Sequence, residues 1–119
     1  MAELVLDGDA LEVRMSGWER AAAFHGDFSV PLSAVREIAV EPKPWSALRG
    51  IRAPGTGWPG VIAYGVRRMT GDRPDFAAIR GRGPAVRIEL DPPAEFTRLL
   101  ISVADPAETV AGLRALAPS

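Results

Sequence analysis

The chain has 119 residues, enough for one compact domain and too few to pair a cofactor domain with a substrate domain. Hydrophobic residues make up 47% and charged residues 24%, the composition of an ordinary soluble globular protein rather than a disordered or fibrous one. A net charge of -1 supplies no global basic field for nucleic acid, and the lack of cysteine removes disulfides, thiolate zinc sites and thiol nucleophiles.

Residues 1–119 are read as a single domain that opens on a hairpin. "ELVLD" and "ALEVRM" both alternate: Leu11, Val13 and Met15 share one face, Glu12 and Arg14 the other, and Gly8-Asp9 supplies the turn between the two runs. Acids at Glu3, Asp7 and Asp9 stand where a secretory signal needs a basic patch, and no stretch approaches the roughly 20 apolar residues of a membrane span. The expected compartment is the cytoplasm. Ser16 followed three residues later by Glu19 is a capping-box pattern ahead of an alanine run, which predicts a short helix over Trp18–Ala23. "GDFSVPL" and "VREIAVEP" read as strands with "LSA" as the corner between them.

After Pro42 the texture changes. From Lys43 to Gly60 the chain is rich in Pro and Gly, carries Trp45 and Trp58 and holds no period, so it reads as a long loop with one helical turn at "WSALRG". "VIAYGVRRM", "DFAAIRG", "AVRIEL" and "TRLLISV" read as strands separated by "TGDRP", "RGRGP" and "DPPAEF". In "DPAETVAGLRALA", Asp105 stands at the N-cap, Pro106 at the first helical position and Glu108 at the third, and Val110, Leu113 and Ala117 share a face. The expectation is a mainly β fold of about seven short antiparallel strands, curled into a barrel or sandwich, with a C-terminal α-helix capping one end.

This order of elements, with "HGDFSVPLSAVREIAVEP", "LRGIRAPGTGWPGVIAYG" and "DPAETVAGLRAL" as its phrases, resembles a pleckstrin-homology-like domain of small bacterial proteins. The resemblance implies a seven-stranded, strongly bent antiparallel sheet with the helix over one end. It implies no single function, because domains of that kind serve lipid headgroups, peptides and protein surfaces alike. The phosphoinositide site of its lipid-binding members uses Lys and Arg in the loop joining the first two strands. Here that loop is "LDGDAL", and Asp7 and Asp9 would repel a phosphorylated headgroup.

Gly55, Gly57 and Gly60 spell G-x-G-x-x-G, the spacing of a dinucleotide fingerprint. That mechanism needs an apolar strand before the first glycine and a helix after the last. The flanks here are "WSALRGIRAP" and "VIAYGVRRM", with Pro59 inside the motif, so no cofactor is expected. Arg49, Arg52, Arg67 and Arg68 flank the same stretch as a candidate anion patch, weighed against arginines solvated or paired with the chain's fifteen acids. Trp45 and Trp58 are candidate interface anchors, weighed against folding of the loop onto the core. His25, the sole histidine, reads as a hydrogen-bonding corner residue. Neither a carboxylate pair nor a G-x-S-x-G elbow stands out, and no metal site is expected. The functional expectation is a non-enzymatic module that contacts a protein, itself or another chain, through a strand edge or the 43–60 loop. The alternative is anionic-ligand or membrane-surface binding by the four arginines, and a small enzyme stands third.

Overall fold

The computed structural model describes the backbone of residues 1–116 and the side chains of all of these except 52–54 and 116. Its first sheet has three strands: β1 (Glu3–Asp7), β2 (Ala10–Arg14) and β3 (Phe28–Pro31), in the order β1-β2-β3. Asp7 pairs with Ala10 across the two-residue Gly8-Asp9 turn, where Gly8 takes φ 64° as such a turn requires. Helix α1 (Gly17–Ala23) leaves β2 with both arms of its capping box formed: the Ser16 hydroxyl accepts from the Glu19 N–H and the Glu19 carboxylate from the Ser16 N–H. The expected corner is one 3-10 turn, Leu32–Ala34.

Six strands form the second sheet: β4 (Val35–Glu41), β5 (Ile51–Trp58), β6 (Ile62–Arg68), β7 (Asp75–Arg80), β8 (Ala85–Leu90) and β9 (Arg98–Ile101), in the order β4-β8-β9-β7-β6-β5. Helix α2 (Pro44–Ala47) precedes β5, and helix α3 (Pro106–Leu116) ends the fold. The chain is mainly β with a C-terminal helix, as expected. The strand count is corrected from seven to nine among the described residues, in two sheets.

The eight runs read as strands all form, and two features set the observed sheets apart from the expected one: an added strand and the placement of an expected one. The first is β5, expected as loop: "IRAPGTGW" lacks the β-branched alternation of a strand, yet it pairs with β6 through Gly55↔Gly65, Gly57↔Ala63 and Trp58↔Ile62. A neighbouring strand and a tight turn at Gly60 (φ 77°) outweigh weak intrinsic propensity. The second is β9, which inserts between β8 and β7, antiparallel to the first and parallel to the second, so the sheet is not wholly antiparallel. Arg73 holds this arrangement. Its guanidinium donates to the carbonyls of Ala94 and Phe96 at 2.8 and 2.9 Å and of Leu90 at 3.1 Å, while Thr97 N–H donates to the Pro74 carbonyl.

The main core lies between the sheets and under α3. Leu11, Val13 and Val30 meet Phe76, Ile88, Leu99 and Ile101, with Val110 and Leu113 from the helix. Burying a side chain such as Phe76 contributes about 2–3 kcal/mol. Val110 and Leu113 share the buried face predicted for α3; Ala117 lies outside the described residues. A second, smaller cluster covers the outer face of the six-stranded sheet, where Trp45, Ala47 and Leu48 pack on Ala63, Ala77, Ile79 and Leu100. No described helix is long and apolar enough to cross a membrane.

Candidate interaction surface at the end of the six-stranded sheet

The 43–60 stretch divides into two parts with opposite fates. Its first part is folded down. Trp45 donates from Nε1 to the Gly81 carbonyl at 2.8 Å and is an element of the outer-face cluster, so its area is used within the chain. Arg49 makes a bidentate pair with Asp75, 2.6 Å from Nε to Oδ2 and 3.0 Å from Nη2 to Oδ1, and the Asp75 side chain is 2% exposed. Arg67 then donates to the carbonyls of Arg49 and Gly50, both at 3.2 Å. These contacts clamp the segment that enters β5.

The second part is the edge strand β5, with Ile51 at its start and Trp58 at its end. β5 has β6 on one side and, among the described residues, no strand on the other. Ile51 is 77% exposed, Trp58 69% and Val61, in the hairpin turn, 52%. Register aligns Trp58, Ile62 and Arg80 across β5, β6 and β7. On the neighbouring row Trp18 of α1 tilts against Tyr64 with ring centroids 5.3 Å apart, and the Arg80 guanidinium lies 5.0 Å from the Trp18 ring. Two partly exposed tryptophans and an arginine therefore gather around Ile62. A shallow depression of about 320 Å³ beside Trp58 is lined on the outer face by Trp45, Leu48, Gly57, Ala63 and Arg67.

Of the six candidate residues, the structure thus brings Trp45, Arg49 and Arg67 together as a folded clamp. Trp58 lies at the exposed end of β5, on the rim of the depression that Trp45 and Arg67 also line. Arg68 ends β6 opposite Ile51, and Arg52 pairs through its backbone with Arg67, its side chain lying outside the described residues. The cationic quartet is not one patch, because Arg49 is neutralised by a buried carboxylate and Arg67 is turned to carbonyl oxygens. No local sequence signal marks Trp18, Arg80 and Val61 as lying toward the Trp58 end of the sheet, or Ile51 as exposed at the other end of β5. Trp58 and Arg80 are aligned only by the register of β5 on β6 and of β6 on β7, and β5 carries no strand signal.

The buried acids are likewise committed. Glu19 is fully buried and accepts from the Tyr64 hydroxyl at 2.6 Å, with the Met1 ammonium 3.9 Å away. Burial pushes its carboxyl up, but the Tyr64 and Ser16 donors outweigh that and hold it below the ordinary glutamate range. Burial and the Glu19 carboxylate push the Tyr64 phenol well above its usual value. Glu89 accepts from Arg98 at 2.6 Å, within an outer-face row in which Arg87 reaches Glu37 at 2.6 Å and Glu41 at 3.4 Å. His25 is ringed by Phe28, Phe76 and Phe96 at centroid distances of 5.2, 5.4 and 5.9 Å, and its Nδ1 lies 2.8 Å from the Gly26 carbonyl. Among the described residues no group of three or more His, Asp or Glu is arranged to hold a metal ion.

No protein-family model, curated protein or solved structure matches the chain.

Proposed function

We propose that the chain is a non-enzymatic interaction module, of pleckstrin-homology-like kind, that contacts a protein through the β5 end of its six-stranded sheet. The observation that carries this reading is the exposure of Ile51 and Trp58 at the two ends of β5, and of Val61 in the adjoining turn, on a strand that has no strand on its outer side among the described residues. Native sheets blunt or cover such edges, because an open row of backbone groups beside apolar side chains recruits another chain. Trp and Arg are the residue types that anchor protein contacts, and Trp58, Trp18 and Arg80 converge there. The commitment of Glu19, Asp75 and Glu89 to internal donors supports a binding role over a catalytic one. The resemblance to pleckstrin-homology-like domains is supported by the β-rich body and C-terminal helix, while the parallel β9 is a departure from it. Anion or membrane-surface binding draws less support, since Arg49 and Arg67 are spent on the clamp.

Photo-crosslinking in cells tests the reading. A benzoylphenylalanine at position 58 yields an adduct of defined mass that a control at exposed position 33 does not, and adding Ile51→Lys abolishes it. An adduct of twice the chain mass identifies a second copy as the partner. A position-58 adduct no stronger than the control, or one indifferent to Ile51→Lys, overturns the reading.

A further inference from the structure

A second open edge lies in the three-stranded sheet. β1 has only β2 as a neighbour among the described residues, and between it and α3 runs a groove of about 540 Å³. Leu4, Val5 and Leu6 line one wall, and Thr109, Gly112 and Leu113 the other. Leu4 and Leu6, which pair with Val13 and Leu11, pack partly against the core, so the inner face of β1 is apolar. The other face carries Glu3, Val5 and Asp7 by alternation, with both acids exposed. Asp105 and Glu108 add two more carboxylates at the α3 end of the groove. Arg14, the cross-strand partner of Glu3, is ion-paired with Glu12 and offsets these acids only in part, and Arg114 is directed away to the Ile38 carbonyl.

We infer that this groove takes an extended peptide segment that alternates apolar and basic residues, added to β1 as a fourth strand. The edge dictates the extended backbone, because only a strand can satisfy a row of β-ladder groups. The two faces of β1 dictate the alternation. On an added strand, one set of side chains falls beside Leu4 and Leu6 over the groove, and the other beside Glu3 and Asp7, where Lys or Arg is attracted and acids are repelled. Gly112 leaves room on the helix side, as a Cβ built there meets no atom within 4 Å. A glycine inside α3 lowers helix propensity, and this one widens the groove.

The probe is an N-acetylated, C-amidated octapeptide alternating valine and arginine, followed by fluorescence anisotropy against the full chain. It binds at least tenfold more tightly than the valine–glutamate octapeptide. N-methylation of every second residue, on the residues that face the ladder, weakens it at least tenfold. Gly112→Leu fills the groove and favours the helix, so it weakens binding at least tenfold while thermal stability holds or rises. Thr109→Phe fills the same groove from the preceding turn and gives the same loss should Gly112→Leu fold poorly. Binding that survives both filling variants but vanishes with Glu3→Lys/Asp7→Lys is surface charge attraction alone and overturns the inference, as does equal binding of the two peptides. Self-association abolished by Gly112→Leu places a second copy in the groove and overturns the peptide assignment.

Discussion

The two edges of the six-stranded sheet are treated differently. At the β4 edge, α3 lies across the strand, Val110 and Leu113 are buried beneath it, and Arg114 Nε donates to the Ile38 carbonyl at 2.8 Å. At the β5 edge, α1 reaches the strand from the inner face, and the outermost side chains stand in solvent. β5 shows a register shift between Arg52 and Gly55, after which Gly55–Trp58 pair regularly with β6. A covered edge is a stability device, whereas the β5 edge leaves a tryptophan in solvent, which is the basis of the contact surface proposed above.

Removing Asp75 should have the largest effect, because it attacks the clamp that delivers the chain to β5. Asp75→Ala leaves the Arg49 guanidinium without its buried carboxylate and is expected to cost about 2 kcal/mol, below the 3–5 kcal/mol of a fully buried pair because Arg49 is 37% exposed. Urea denaturation measures the cost. Hydrogen exchange should quicken in α2 and β5 and stay unchanged in β4, and equal quickening of both edges would show that the clamp is not local.

Next in size is the Glu19–Tyr64 pair, which ties α1 under β5 and β6. Glu19 is held below its ordinary range, so its contribution is complete above the ordinary glutamate value of about 4.3 and disappears as pH falls through the lower folded value. Tyr64 acts at the other extreme: its raised phenol contributes fully below about pH 10 and loses that contribution as pH rises further. Glu19→Gln is expected to cost about 1–2 kcal/mol at neutral pH and to flatten the acid limb of a stability–pH curve. An acid limb of unchanged slope in the variant would assign it to another carboxylate.

The smallest effect is expected at the covered edge. Arg114→Met keeps the packing of the side-chain stem and removes the donor to Ile38, at about 1 kcal/mol. Exchange in β4 should then rise toward that of β5, narrowing the contrast between the edges; protection of β4 that is wholly retained would assign the covering to α3 packing alone.

Much of the fold was legible where a short-range rule acts. The capping box at Ser16 and Glu19, the Asp105-Pro106 start of α3, and the alternation of Val86, Ile88 and Leu90 with Arg87 and Glu89 each express chemistry within a few residues of chain. The candidate site was legible in part: Trp58 is exposed as an interface anchor would be, while Trp45 is folded onto the sheet. The clamp was not legible, because Arg49 and Asp75 are separated by 26 residues and no local pattern joins them.

The amino-acid sequence by itself determined the β-rich class, the first hairpin, both longer helices and the absence of thiol chemistry, since propensity, capping and composition operate without regard to neighbours in space. Tertiary structure decided that a glycine- and proline-rich stretch becomes β5, that β9 enters parallel to β7, and which edges stay open. Those outcomes depend on what lies 4.7–4.9 Å away in the sheet rather than on what comes next along the chain.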